Sequence, residues 1–287
     1  MSISVILVPL RGDGKGEGVL AHAAAVAARH KAHVMAMHCR AKPSDMVPYG
    51  VVVPQALRAQ IQSHATELAN AEETALRDKY QAFIQSLGLD LIGDEKPPRD
   101  QASAGWCEEQ GKQMDVIKRR GRLVDLVAVA KPDRDRNLGV NTLRAALFNT
   151  GRPVLLCPAG VPSSAGLGRC VALAWNGSTE ASRAVALALP HLQAADEVVV
   201  LDGSDGSSGA SGQDLMSYLE VAGIPARREA IVGGDRPGRV ILSKSDDVGA
   251  DLLVMGAYSR SREQESVFGG ATQEVVDATT MPVVMVH

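Results

Sequence analysis

The sequence predicts an α/β fold of two tandem, doubly wound (Rossmann-like) domains, each built on a mostly parallel sheet. Three observations predict it. Short apolar runs alternate with helical periodicity along the 287 residues, the order of these runs in the first half recurs in the second, and a segment rich in Gly, Ser and Pro (159–168) separates the halves. The length also suits about two domains of roughly 150 residues each.

Three short runs occur in both halves in the same order, which indicates a degenerate internal duplication. In the first half they are Ile3–Leu10, Asp125–Ala130 and Pro153–Cys157, and in the second Cys170–Trp175, Asp251–Gly256 and Pro282–Val286. The Asp-Leu runs are 126 residues apart (251−125) and the Pro-Val runs 129 (282−153). The opening runs are farther apart, so the first half carries extra residues. The predicted domains are 1–158 and 168–287.

The second half contains a regular succession of predicted strands and helices. Val171–Trp175 is a short buried-type strand, and the helix Ser178–Leu189 follows it and ends at Pro190. The remaining predicted elements are strand Glu197–Leu201, helix Leu215–Ala222, strand Ala226–Ile231, helix Arg239–Asp247, strand Asp251–Met255, helix Gly270–Thr279 and strand Pro282–Val286. Continuous apolar strands separated by helices are typical of a parallel sheet covered on both faces.

The first half follows the same pattern with a longer helical insertion. Its predicted strands are Ile3–Val8, Val34–His38, Leu126–Ala130 and Val154–Cys157. The segment Pro54–Leu87 is predicted as one long helix. Both halves end on a short apolar strand preceded by Pro, and an exposed apolar edge favours pairing with another edge. We therefore predict that Val154–Cys157 pairs with Val283–Val286.

Composition excludes several classes of protein. Thirty basic and 33 acidic side chains leave a net charge of −3, and aromatic residues are only 3%, so neither a nucleic-acid partner nor an anionic membrane surface is expected. No run of eighteen or more apolar residues occurs, and the N-terminus lacks a basic signal-peptide region. Four scattered cysteines suit a reducing compartment. A cytoplasmic location is expected.

The best candidate binding segment runs from Met255 to Thr272, where a predicted strand leads through a polar loop into a helix. In doubly wound folds, ligands bind beyond the carboxyl ends of the strands, often at a helix N-terminus with glycine-rich backbone. Gly269 and Gly270 open the helix here, and glycine lets the backbone approach a phosphate closely. Spacing alone also fits an ordinary strand–loop–helix connection.

This segment resembles the nucleotide-binding loop of the universal stress protein family, Gly-x2-Gly-x9-Gly-Ser/Thr. Met281–Val286 resembles the closing strand of that family, and Ala174–Ser178 its first strand and turn. The resemblance implies five-stranded parallel sheets, a role in the stress response, and ATP binding without dedicated catalytic chemistry. It also implies an association into homodimers. The binding residues that it implies are Asn176, Gly256, Ser259, Arg260, Gly269, Gly270 and Thr272.

The second half departs from the family pattern at three positions. Ser259 occupies the place of the second glycine, and its Cβ restricts access to positive φ. Gly270 stands where Ser or Thr is expected, so Thr272 is the candidate source of a hydroxyl. Asn176 replaces an Asp, which keeps an acceptor and removes a charge. Arg260 could pair with phosphate.

The first half departs further, so ATP is expected in the second half only. Its corresponding segment, 130–139, has no series of glycines, and Leu10 stands near the place of the acidic residue. Pro132 in that segment lacks an N–H donor and has a fixed φ.

Other chemistry has weaker support in the sequence. Gly12–Gly16 suggests a P-loop, but Pro9 stands where its first Gly belongs, and the calcium-loop pattern that begins at Asp133 lacks its final Glu. Histidines at zinc-site spacing and a nucleophile elbow are absent, so no metal ligand or catalytic residue is predicted.

The alternative hypothesis is an ATP-hydrolysing or adenylate-forming enzyme on the same scaffold, because a fold does not determine a function. Such an enzyme needs a base or a carboxylate beside the phosphate loop, and Glu263 and Glu265 are the nearest candidates.

Overall fold

The computed structural model describes residues 2–10, 14–40, 55–93, 95–160, 166–204, 209–232, 234–258 and 270–287, with backbone alone for 55–69 and 72. In the first half, these residues form six strands and four helices. They are β1 (Val5–Leu10), α1 (Gly16–His30), β2 (His33–Arg40), α2 (Gln55–Ser86), β3 (Asp90–Ile92), β4 (Ser103–Gln110), α3 (Gln113–Arg120), β5 (Leu126–Ala130), α4 (Val140–Asn149) and β6 (Val154–Cys157).

The second half adds five strands and five helices among the described residues. They are β7 (Cys170–Trp175), α5 (Thr179–Leu187), α6 (Leu189–Ala194), β8 (Glu197–Asp202), α7 (Gly212–Val221), β9 (Ala226–Ala230), α8 (Pro237–Asp247), β10 (Leu252–Gly256), α9 (Gly270–Ala278) and β11 (Val283–Val286). Pro190 does not end the helical region as predicted. It lies in the first turn of α6, where its missing N–H would have no partner within the helix.

All eleven described strands belong to one sheet in the order β3-β4-β2-β1-β5-β6-β11-β10-β7-β8-β9. Within each half the strands run parallel, which confirms the predicted doubly wound α/β class. Among the described residues, the second half has the five expected strands and the first half has six, so the five-strand expectation is wrong for the first half. The additional β3 is a three-residue strand at the free edge beyond β4. Strand order reverses between β1 and β5 and again between β7 and β10.

The two halves join through β6 and β11, as predicted. These strands pair antiparallel, with Val283 opposite Leu156, Val284 opposite Leu155 and Met285 opposite Val154. Every side chain in the two strands is buried. The two predicted edge strands therefore pair with each other within one chain. The predicted homodimer stays a prediction, and it would have to form through a different surface.

Helices cover both faces of the sheet, with one hydrophobic cluster on each face. One cluster contains residues of α1, α2, α5, α6 and α7, and the other contains residues of α3, α4, α8 and α9. Side chains that alternate along β6 and β11 enter the two clusters in turn, so each cluster continues from one half into the other.

An aspartate joins the start of two strands in each half. The Asp125 carboxylate, just before β5, accepts hydrogen bonds from the backbone N–H groups of Ser4 and Val5 at 2.8 and 3.0 Å. The Asp251 carboxylate, just before β10, accepts from Gly168 and Arg169 at 2.7 and 3.0 Å. The duplicated Asp-Leu runs therefore have the same structural role in both halves.

We expect Asp251→Ala to lower the free energy of unfolding by about 2 kcal/mol, because hydrogen bonds to a charged group contribute roughly 1.5–3 kcal/mol. Urea denaturation followed by circular dichroism measures the change. Asp246→Ala is the control, since Asp246 is exposed on α8, and it should stay within about 0.5 kcal/mol of the wild type. Equal stability of the two variants would contradict the role assigned to Asp251.

Candidate functional site

The candidate site lies at the carboxyl edge of β7 and β10, where strand order reverses in the second half. β7 and β10 are paired neighbours, and the chain leaves β7 into α5 and β10 into the segment before α9. Ligands in open α/β sheets bind at such a reversal, outside the carboxyl ends of the strands. The structure brings the described members of the predicted set, Asn176, Gly256, Gly270 and Thr272, to this edge.

The turn after β7 uses Asn176 to start α5. The side-chain oxygen of Asn176 accepts a hydrogen bond from the Ser178 N–H at 3.1 Å, and the Ser178 hydroxyl accepts from the Ala181 N–H at 3.2 Å. Gly177 between them has φ +74°, a conformation that favours glycine. Asn176 is exposed, and its oxygen takes part in this turn. Its amide NH₂ group is the part that could recognise a ligand.

Gly256, the last residue of β10, packs against the first turn of α5. A Cβ at Gly256 would lie 2.7 Å from the Ala181 backbone nitrogen and 2.7 Å from the Glu180 carbonyl carbon. The absence of a side chain therefore lets α5 approach the strand. The structure accounts for this glycine by helix packing, whereas the motif suggested an approach of phosphate.

Tyr258 and Thr272 connect the end of β10 to α9. The Tyr258 N–H donates to the Thr272 hydroxyl oxygen at 3.2 Å, and Thr272 is 6% exposed. Tyr258 has φ +58°, which is uncommon for a residue with a Cβ. The Thr272 hydroxyl, predicted to contact phosphate, thus holds the backbone where the polar loop begins.

Gly270 begins α9 and is exposed, and no atom of the described residues lies within 4 Å of the place that a Cβ would occupy. Ser259, Arg260 and Gly269 lie outside the described residues, so their predicted roles stay predictions.

Two glycines bring the segment after β8 against the turn after β7. A Cβ at Gly177 would lie 2.8 Å from the Ala210 carbonyl oxygen, and a Cβ at Gly209 would clash with Gly177. The Trp175 indole N–H donates to the same Ala210 oxygen at 3.0 Å. Sequence reasoning missed this side of the site, although the Gly/Ser-rich composition after β8 was a signal for close backbone packing.

The first half contributes an aromatic side chain to the same edge. Phe148, near the end of α4, has its ring 5.2 Å from the ring of Tyr258 and 4.8 Å from the imidazole of His287. Burial raises the pKa of Tyr258 to about 12, against the weaker opposing effect of the Arg144 charge. His287 in turn contacts the Ala257 carbonyl oxygen through Nδ1 at 3.0 Å. No local pattern predicts this contact, because Phe148 and Tyr258 are far apart in the sequence.

The corresponding edge of the first half is closed by a small hairpin. Asp133 and Leu138 exchange backbone hydrogen bonds of 2.8 and 2.9 Å, and the Asp133 carboxylate pairs with the Lys15 ammonium at 3.1 Å. The hydrogen bond from Lys15 lowers the pKa of Asp133 below its ordinary value. Asp133 also accepts from the Arg136 N–H, so it forms a turn in place of the calcium loop that its spacing imitates.

Beneath this hairpin a cavity lies between β1 and β5, lined by side chains that include Pro9, Val19 and Thr142. The space open to a water centre is about 30 Å³, which suits one or two water molecules. A nucleotide does not fit there.

The described part of the chain offers neither a metal site nor a helix that could span a membrane. Within it, three or more His, Cys, Asp or Glu side chains nowhere gather into a group that could hold a metal ion. None of its helices combines the length and the apolar character that crossing a membrane requires.

Residues 170–287 match the model of the universal stress protein family. A universal stress protein from Archaeoglobus fulgidus DSM 4304 superposes with a TM-score of 0.67 at 15% identity, over 98% of this chain and 97% of that chain. A protein of unknown function from Pseudomonas aeruginosa PAO1 superposes with a TM-score of 0.54 at 15% identity, over 99% of this chain and 92% of that chain. A putative universal stress protein from Pseudomonas aeruginosa UCBPP-PA14 superposes with a TM-score of 0.53 at 15% identity, over 99% of this chain and 93% of that chain. At this identity the structures show a shared fold across the whole chain. No curated protein matches the sequence significantly.

Proposed function

We propose that the chain, whose residues 170–287 match the model of the universal stress protein family, is a stress-response binding protein that takes ATP in its second half. In this proposal the first half is a non-binding partner domain. ATP acts as a ligand that shifts conformation or partner affinity, and the protein does not use it in catalysis.

The observation that carries the proposal is the contrast between the two places where strand order reverses. In the first half, nine residues (131–139) connect β5 to α4, and six of them form the hairpin over the cavity. In the second half, thirteen residues (257–269) connect β10 to α9. The longer connection carries Arg260 and Gly269, whereas the shorter one carries Pro132. Only the second connection has the length and the composition to surround a triphosphate.

Two helix N-termini at the edge favour an anion there. α5 begins beside Gly256, and α9 begins at the exposed Gly270. The positive end of the helix dipole attracts phosphate at both helices, as do the first-turn N–H groups that no side chain caps; at α5 the Ser178 hydroxyl already caps the Ala181 N–H. The Asn176 amide lies at the same edge and supplies a donor for a base or a ribose.

Ligand binding at this edge has a physical route to the first half. Tyr258 begins the loop in question and contacts Phe148 of α4. A ligand that reorients the loop therefore acts directly on the packing between the halves.

Titration of ATP into three proteins tests the proposal. We expect Gly269→Val to weaken binding at least tenfold, because a branched side chain obstructs the approach of phosphate. We expect Ser259→Gly to tighten binding several-fold, because it restores backbone freedom. The control is Gly93→Val, an exposed position with open space in the first half, which should bind like the wild type. Equal affinities in all of these proteins would mean that the loop is not the site.

The same samples test the alternative that the protein is an ATP-hydrolysing or adenylate-forming enzyme. Bound nucleotide should be recovered as ATP after incubation with stoichiometric protein. Steady release of ADP, or of AMP and pyrophosphate, that Glu263→Gln or Glu265→Gln abolishes would contradict a pure binding role.

A further inference from the structure

Two histidines from different halves meet on the helical layer that contains α1 and α6. His30 is the last residue of α1, and His191 lies in α6. Their ring centroids are 5.2 Å apart and the rings are nearly perpendicular, at 88°. The contact therefore joins the first half to the second at a place separate from the β6–β11 pair.

In the described part of the chain, the Nε2 atoms of both imidazole rings lack a hydrogen-bond partner. Both Nε2 atoms are buried and have no partner among the described residues, and His191 is only 4% exposed. A buried polar atom without a partner is costly, and such exceptions often mark a functional group. Neutral rings tolerate this environment, whereas a charged imidazolium would need both water and a counter-ion.

The charges around the pair are mainly positive. Arg29, beside His30, donates to the Ala194 carbonyl oxygen and lies 3.4 Å from the Asp196 carboxylate. Asp196 also pairs with Arg169 at 2.8 Å, so two guanidinium groups share its negative charge. A proton added to either imidazole would therefore place a cation beside Arg29.

We propose that the contact between His30 and His191 is an acid-sensitive latch that holds α1 of the first half against α6 of the second. With both rings neutral, they pack edge to face and the latch is closed. Protonation of either ring opens it, while the apolar pairing of β6 with β11 keeps the two halves joined. The proposal does not depend on ATP binding.

The direction of the pH effect follows from the buried state of the rings. Burial, with His30 and Arg29 adding to it, lowers the pKa of His191 from 6.5 to about 3. Burial lowers the pKa of His30 as well, and the Arg29 charge adds to the effect. The open form has the ordinary pKa and binds protons more readily, so the closed form is favoured above pH 6.5. Below that pH, each unit shifts the equilibrium up to about tenfold per group towards the open form.

Hydrogen exchange of the full chain at pH 7.5 and pH 5.0, corrected for intrinsic rates, tests the latch. In the wild type, we expect amides at the end of α1 and in α6 to exchange up to about 30-fold faster at pH 5.0, while β6 and β11 stay protected. In His191→Leu this pH dependence should become smaller in both helices, because only His30 can then open the latch by protonation. His22→Leu is the matched control, because His22 is equally buried in α1 but bonds to the Gly18 carbonyl oxygen at 2.7 Å. The His22→Leu variant should show the same pH dependence of hydrogen exchange in α6 as the wild type.

A second measurement keeps the test decisive if His191→Leu fails to fold. Nuclear magnetic resonance titration of the wild-type histidine rings should show His191 uncharged down to pH 5 in the closed form. Titration of His191 near pH 6.5 would overturn the latch. So would equal corrected exchange rates at the two pH values, or an undiminished pH response in a folded His191→Leu protein.

Discussion

Replacing Leu155 with Asp is expected to lower the free energy of unfolding by more than about 4 kcal/mol and to unfold both halves together. Leu155 is fully buried in β6 and lies opposite Val284 of β11. A carboxylate there loses its hydration without gaining a partner, and single changes of this kind are among the most destabilising. Because each hydrophobic cluster runs across the joint, the damage should reach the second half.

The two tryptophans of the chain make this measurable, since Trp106 lies in β4 and Trp175 in β7. In a Trp106→Phe background, the fluorescence of Trp175 reports the second half alone during urea denaturation. We expect Leu155→Asp to lower the urea concentration at the midpoint of the Trp175 fluorescence transition. Leu123→Asp, at a position 84% exposed in the same half, is the control and should change it little. An unchanged Trp175 midpoint in Leu155→Asp would show that the halves unfold independently.

The second large effect is expected at Gly256. Gly256→Val places a branched side chain where a Cβ alone already lies 2.7 Å from backbone atoms of α5. Either the helix or the strand must move, and we expect a loss of about 3 kcal/mol in the absence of any ligand. Thermal or urea denaturation of the protein without nucleotide measures it.

Gly93→Val is again the matched control, because Gly93 is exposed and has no atom near the place of its Cβ. It should stay within about 0.5 kcal/mol of the wild type. If Gly256→Val instead kept full stability and only weakened ATP binding, this glycine would face the ligand, as its place in the family motif suggests.

Much of the architecture could be predicted because local patterns and tertiary contacts agree. Every predicted strand of the second half is present within a residue or two at each end. The joint was predictable because Val154–Cys157 and Val283–Val286 are equally apolar and have no polar face. A strand of that kind must be covered on both sides and paired at its edges.

β4 was not predicted, for a physical reason. Its sequence begins with small residues and ends in Glu108, Glu109 and Gln110, and only its first three residues are buried. The sequence of β4 fits neither the continuous apolar pattern of a fully buried strand nor the alternating pattern of a half-buried one. β4 forms because β2 offers eight residues of parallel pairing, from His33 to Arg40, a long-range contact that no local window contains.

The candidate site was predictable in place but not in detail. The family resemblance implied Asn176 in the turn after one strand and Gly256 at the end of another, and in the structure these two strands are paired neighbours. The partners of these residues are less visible in the sequence. Gly256 packs on α5 and Tyr258 on Phe148, and both contacts join segments that are distant along the chain.

The antiparallel joint has a consequence for the evolutionary freedom of the two halves. Two separate chains that met through such short strands would associate only above a threshold concentration, and dilution would separate them. Joined in one chain by the few residues between Cys157 and Cys170, the strands meet at an effective concentration on the order of millimolar. Pairing then depends neither on protein abundance nor on identical partners. One copy is free to lose its binding loop and still cover the hydrophobic edge of the other.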